Sequence, residues 1–283
     1  MSIPLPERER IRIGPYRLSM IRVGCGPSIV LLHGIPTHSF LWRDVAPRLT
    51  RSGFEVILFD LLGYGDSDKP LDTDLGIAAQ ACFMADALEE IGWQGGHIVG
   101  HDIGGGIAQL ITVTNPNVVT GLVLVDTIAY DSFPEPGIAR LKEPVWDDIL
   151  GSPDFDLKKG FAKGLSRGVV RTDRITPALI DAYEEPFRGV EGRRAYLRAA
   201  RALRTEDLAP RMPEVEALAL PTLIVWGERD DFQPLSYGRR LAGAMPNARL
   251  EVVDDAGHFL PEDAPEALSD LIAGFAAEQA LQP

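Results

Sequence analysis

The sequence predicts an α/β chain: a mostly parallel, twisted sheet with helices on both faces and a helical cap inserted late in the sheet. Three observations predict it. Short apolar runs alternate with helix-like stretches. The runs show no polar alternation, so both of their faces are expected to be buried, as in a parallel sheet. The alternation stops between Asp126 and about Pro210 and resumes at Leu223.

In chain order, Ile11–Ile13 and Arg17–Val23 read as a strand pair around Gly14-Pro15. Ile29–Leu32 is an apolar run ending in His33-Gly34, and Glu55–Phe59 is another ending at Asp60. Ile77–Ile91 has helical spacing. Ile98–Val99 leads into a glycine-rich turn, and 104–115 continues as a helix stopped near Pro116. Leu122–Val125, Leu223–Trp226 and Leu250–Val253 are further strands, while Tyr237–Ala244 and Pro265–Ala277 read as helices. Between the two halves the texture turns to prolines, aromatics and arginines, with helical stretches at Pro177–Tyr183 and Arg193–Leu203. The expected organisation is a core of residues 1–126 and 211–283 with a cap of 127–210. No internal repeat or low-complexity tract interrupts it.

Of 283 residues, 45% are hydrophobic and 24% charged, an ordinary globular balance. The net charge of −13 argues against nucleic acid or an anionic membrane as partner. Cys25 and Cys82 alone give no disulfide framework, and no metal-ligand cluster or cofactor motif is visible. The N-terminal ten residues lack an apolar signal core, and no apolar stretch would span a bilayer. The expectation is a soluble, cytoplasmic protein acting on a small molecule without cofactor or metal. Oligomeric state cannot be read from the sequence.

The most informative residue is Asp102. In His97-Ile98-Val99-Gly100-His101-Asp102-Ile103-Gly104-Gly105 an apolar strand runs into Gly-X-Asp-X-Gly and then a helix. This is a nucleophile-elbow pattern with a carboxylate in place of a hydroxyl. A carboxylate is ionised at neutral pH and needs no base to attack. At an ester it would leave a reactive anhydride. At a saturated carbon it displaces a leaving group and becomes an alkyl ester. The residue type therefore points to opening of C–X or C–O bonds.

Ligands collect at the C-terminal ends of parallel strands. His33-Gly34-Ile35-Pro36, Asp102, Trp226-Gly227-Glu228-Arg229-Asp230 and Asp255-Ala256-Gly257-His258-Phe259 all fall there. His258 is the expected base. Asp230, at a Gly-X-X-Asp spacing, is the expected acid partner, and Asp126 at the end of the strand before the cap is its rival. The N–H groups of Ile103 and Ile35 are the expected oxyanion hole. His33 and His101 read as motif residues, and His38 and His97 as structural or solvated. The turn Asp60–Ser67 reads as structural.

These segments carry a resemblance to the α/β-hydrolase superfamily over nearly the whole chain. The matching stretches are His33-Gly34-Ile35-Pro36-Thr37, Ser39-Phe40-Leu41-Trp42-Arg43, Gly63-Tyr64-Gly65-Asp66-Ser67-Asp68-Lys69-Pro70 and Gly100-His101-Asp102. Asp102 directs the resemblance to the aspartate-nucleophile branch of epoxide hydrolases and haloalkane dehalogenases. That branch implies an ester on Asp102, cleaved by water that His258 activates. Two departures bear on which member it resembles. Ile103 stands where a halide-holding tryptophan is usual, and Ile35 where a side-chain amide is frequent. The arginine that follows the aspartate in fluoroacetate-type enzymes is also absent. Epoxide opening needs cap tyrosines as proton donors, for which Tyr196, Tyr183 and Tyr130 are the candidates. Trp146 could hold a halide, and Ala182–Phe187 looks more like a dehalogenase cap. The resemblance therefore implies an epoxide hydrolase acting on a small apolar substrate. The alternatives are a dehalogenase with an atypical halide site, and a non-hydrolytic enzyme or ligand receptor on the same fold.

Overall fold

Branched aliphatic runs form the strands, and what lies on their two sides decides their order. The computed structural model describes residues 6–152 and 154–280. Its strands are β1 (Glu9–Ile13), β2 (Tyr16–Val23), β3 (Ser28–Leu32), β4 (Glu55–Phe59), β5 (Gly96–His101), β6 (Val119–Val125), β7 (Thr222–Gly227) and β8 (Ala248–Val253). They make one sheet in the order β1-β2-β4-β3-β5-β6-β7-β8. The β1/β2 and β2/β4 pairs are antiparallel and all later pairs parallel.

Ile29–Leu32, Val56–Phe59, Leu122–Val125 and Leu223–Trp226 are completely buried. Such runs need cover on both faces, because a parallel strand has no solvent side. The cover comes from helices Ile77–Glu90 and Ile103–Thr114, which pack together, and from Ala46–Arg51 and Pro265–Ala280, which also pack together. Helix Leu235–Ala244 lies on β7 and β8. β8 departs from the expectation of two buried faces: it is an edge strand, and Val252 is 38% exposed. The short helix Ala46–Arg51 was not foreseen, since six residues are too few for a periodic pattern.

Between β6 and β7 the chain forms helices at Pro136–Ala139, Val145–Gly151, Leu157–Gly168, Pro177–Glu184, Gly189–Ala202 and Met212–Glu216. Leu157–Gly168 shows why these are helices. Leu157, Phe161, Leu165 and Gly168 recur near every fourth residue and are buried, while its lysines and Arg167 are exposed or partly exposed. Arg193 lies buried on Gly189–Ala202 and donates to the carbonyls of Leu150 (2.7 Å) and Ser152 (2.6 Å). It thereby satisfies carbonyls at the end of Val145–Gly151 that lack intrahelical partners. Met212–Glu216 falls beyond the expected boundary at residue 210 and packs on Ile103–Thr114. Among the described residues no helix is long and apolar enough to cross a membrane.

Candidate active site

Parallel strands ending side by side bring their following turns together. β5 lies between β3 and β6, so the turns after β3 and β5 are neighbours. Asp102 follows β5 at φ 52°, ψ −119°, a backbone region that side-chain-bearing residues rarely adopt. The bend is possible because its flanks lack Cβ atoms. A Cβ on Gly100 would sit 2.3 Å from the Gly104 carbonyl oxygen, and one on Gly104 2.5 Å from those of Leu32 and His33. The Asp102 carbonyl in turn accepts from Gly105 and Gly106 N–H groups, which start the helix.

The Asp102 side chain is 4% exposed. Its Oδ2 accepts the Ile35 N–H at 2.9 Å, and the Ile103 N–H also faces the carboxylate. Burial pushes its pKa up to about 6, against the opposing pull of His258 and of the two N–H groups. At neutral pH the group is mainly ionised. Oδ2 is held by the Ile35 amide, and the two amides can stabilise an oxyanion.

His258 follows β8. Its Nδ1 lies 2.9 Å from Asp230 Oδ2. Asp230 follows β7 in a turn closed by its N–H on the Gly227 carbonyl, and its Oδ1 accepts the N–H groups of Phe232 (2.7 Å) and Gln233 (2.8 Å). Burial alone would lower the His258 pKa. The charge and hydrogen bond of Asp230, with the charge of Asp102, outweigh it and raise the pKa above the usual value. Asp126 does not bond His258. Its Oδ1 accepts the Gly227 N–H at 2.7 Å, its Oδ2 has no partner among the described residues, and burial, then the charge of Asp230, push its pKa well up. Its surroundings disfavour the charged form.

Asp102 and His258 open into a cavity of about 730 Å³. Strand-end turns form its floor and the inserted helices its walls, with Phe133, Trp146, Leu150, Phe161 and Phe232 among the apolar contributors. The three expected tyrosines separate here. Tyr196 lines the cavity, and its hydroxyl makes no hydrogen bond among the described residues. Burial, then the charge of Glu135, push its pKa up to about 12, so it stays protonated. Tyr183 also lines the cavity, but its hydroxyl donates to the buried carboxylate of Glu262, which Arg43 grips through two nitrogens at 2.6 and 2.7 Å. Tyr130 does not line the cavity; its hydroxyl donates to Glu216 at 2.8 Å. Neither Tyr183 nor Tyr130 therefore has a hydroxyl free to serve a guest. Their place in the inserted segment is visible in the sequence, but not the long-range carboxylates that capture them.

The other histidines serve the scaffold. His33 accepts the Leu61 N–H at 3.0 Å and donates to the Gly34 carbonyl. His38 reaches the Ala182 carbonyl at 3.1 Å. His97 is buried without a partner among the described residues, and burial lowers its pKa to about 4. His101 donates from Nε2 to the main-chain carbonyl of His258 at 2.8 Å. Asp60 binds the Ser39 and Asp66 N–H groups and Arg8, which joins the turns after β3 and β4.

Several residues were missed by sequence reasoning. Asp263 accepts the N–H groups of Gly257, Val170 and Arg171 at 2.8 to 3.0 Å, and the Phe259 N–H donates to the Gly168 carbonyl at 3.1 Å. The turn carrying His258 is thus tied to the inserted helices. Glu135, Arg140, Lys163 and Arg167 line the cavity from those helices. Their only sequence signal was the arginine-rich texture of the segment. Among the described residues no cluster of three or more His, Cys, Asp or Glu could hold a metal ion.

A sheet of this order, with an acidic residue on a strained turn beside a histidine–aspartate pair, defines an α/β-hydrolase. The α/β-hydrolase family pattern matches residues 29–271, and the chain belongs to that family. It is 30% identical to an uncharacterised hydrolase, YugF of Bacillus subtilis, over 88% of this chain and 89% of that protein. It is 28% identical to haloalkane dehalogenase 2 of Mycobacterium bovis over 90% of each. The structure of the epoxide hydrolase CorEH superposes with a TM-score of 0.79 at 24% identity, covering 96% of this chain and 99% of that one.

Proposed function

We propose that this protein is a hydrolase that works through a covalent ester on Asp102, that its substrates are epoxides, and that the inserted helices act as a cap over the site. The observation that carries this reading is Tyr196, a protonated hydroxyl without a partner among the described residues, in the same cavity as Asp102 and His258. An Asp102 oxygen attacks one epoxide carbon, the C–O bond breaks, and the departing oxygen takes the Tyr196 proton. Water then attacks the ester carbonyl as His258, oriented by Asp230, takes its proton. The Ile35 and Ile103 amides hold the oxyanion. Collapse frees the diol and the Asp102 carboxylate. The two water protons end on the leaving oxygen, through His258, and on Tyr196.

Ester formation also prepares the base. The Asp102 charge helps hold a proton on His258. Once Asp102 is alkylated that charge is gone, and the imidazole is freer to accept a proton from water.

The second reading is a dehalogenase. Trp146 lines the cavity and carries an indole N–H suited to a halide, and one relative is named as such an enzyme. Ile35 and Ile103, by contrast, offer no side-chain donor. Incubation with panels of epoxides and bromoalkanes tests the two together. Diol from epoxides, absent in Asp102→Ala, supports the proposal, as does a substrate-sized mass adduct on His258→Gln. Halide release without diol favours the second reading. No product and no adduct from either panel rejects both.

A further inference from the structure

We infer that the substrate is an amphiphile: an apolar body carrying a terminal carboxylate, whose anionic end sits at the cavity rim against Arg140 and Lys163. This rests on the reading of the cavity as a substrate site.

The cavity is graded. Asp102 and His258 at its floor are buried, its walls are aromatic and aliphatic, and Arg140 and Lys163 among its lining residues are exposed to solvent. The space therefore runs from the reacting carboxylate to the surface. Two further charged side chains lie along it, and they cancel. Glu135 accepts the N–H groups of Gly137 and Ile138 and pairs with Arg167 at 2.6 Å. Arg167 also caps the Asp231 carbonyl and lies 4.1 Å above the Phe232 ring. Both are committed to the protein.

Arg140 and Lys163 have no ion pair and no side-chain hydrogen bond among the described residues. They come from two different inserted helices, Arg140–Lys142 and Leu157–Gly168, and meet the same cavity. In a chain with 41 acidic and 28 basic residues, two unmatched cations beside one cavity run against the overall charge. A neutral apolar substrate would gain nothing from them. A carboxylate at the far end of an apolar body would gain both attraction and orientation, because it keeps the reactive end toward Asp102. A cationic amphiphile would be repelled.

Binding can be tested apart from catalysis. Calorimetry of the purified protein with decanoate, decanol and decyltrimethylammonium measures the charge preference directly. Decanoate should bind roughly tenfold more tightly than decanol, and the cation more weakly than either. Raising ionic strength should weaken decanoate binding and leave decanol unchanged. The double variant Arg140→Gln/Lys163→Gln should bring decanoate to the decanol level. Equal binding of decanoate and decanol to the native protein, or decanoate binding untouched by the double variant and by salt, would overturn the inference. A terminal-epoxide fatty acid compared with its methyl ester gives the kinetic counterpart, a lower KM for the acid. Diol formation without charge preference would remove this inference and leave the proposed reaction standing. Charge preference without diol would do the reverse.

Discussion

His101 donates its Nε2 proton to the main-chain carbonyl of His258, 2.8 Å away, and the two rings lie 4.9 Å apart. The residue before Asp102 thus holds the backbone of His258. His101 is fully buried, and burial lowers its pKa far below the usual value, so it acts as a neutral donor. His101→Ala should leave ester formation nearly unchanged and slow ester hydrolysis by roughly tenfold, through loss of one orienting hydrogen bond. His101→Gln, which keeps an N–H donor, should recover part of the loss. Single-turnover kinetics with quenched mass detection separates the two steps.

Asp126 and Asp230 should respond oppositely to the same chemical change. Asp230→Asn removes the charge that orients and supports His258, and kcat should fall by about 100-fold or more. Asp126→Asn keeps an acceptor for the Gly227 N–H and should leave kcat within about twofold. It should also raise stability at neutral pH. The folded-state pKa of Asp126 is raised, so the folded protein holds this proton to higher pH than the unfolded chain, and stability falls as pH rises above the unfolded value. The amide has no such dependence. Melting temperatures of the native protein and the variant should diverge in favour of Asn as pH rises above the ordinary carboxylate range.

The pH dependence of the two steps should differ. Attack needs ionised Asp102 and should fade as pH drops below about 6. Ester hydrolysis needs neutral His258, whose pKa is raised, and should strengthen toward alkaline pH. In the ester the Asp102 charge no longer supports that proton, but the charge and hydrogen bond of Asp230 still do. The covalent ester should therefore build up most near the acidic end of the active range and decline toward pH 8. Intact-mass measurement of the steady-state ester at each pH checks this. An ester fraction independent of pH would contradict the assigned roles.

The cavity tyrosines should separate in the same way. Tyr196→Phe removes the free hydroxyl and should lower kcat with epoxides by about 100-fold. Tyr183→Phe removes a donor to Glu262, which Arg43 still holds, and should cost about 1–2 kcal/mol of stability with little change in the chemical step. Denaturant titration and kcat, measured on both variants, should give opposite rankings.

Gly34 marks how closely the β3 turn approaches Asp102. A Cβ there would lie 2.6 Å from Asp102 Cβ and 2.7 Å from its Oδ2. Gly34→Ala should displace the carboxylate from the Ile35 amide and abolish turnover, while circular dichroism shows the fold retained. Activity within tenfold of native would show that the turn can yield.

The strand ends were legible in the sequence because each is marked locally. The Gly-X-Asp-X-Gly bend at Asp102, the Gly227-X-X-Asp230 turn and the Gly257-His258 turn are short-range patterns, and parallel pairing brings them together. Of the inserted helices, Pro177–Glu184 and Gly189–Ala202 were legible as helices, but not in their rotation. Whether Tyr196 or Tyr183 has a free hydroxyl depends on Glu262, 79 residues from Tyr183 and itself held by Arg43. No periodicity encodes such a pairing. The rim charges were hidden for the same reason: Arg140 and Arg167 look alike in the sequence, and only the position of Glu135 distinguishes them.

The clasp that Asp263 makes on Gly257, Val170 and Arg171 limits how the molecule can breathe. Lifting that flank of the roof would drag the imidazole out of alignment with its aspartate. Replacing Asp263 with alanine should therefore loosen that flank and the His258 imidazole together.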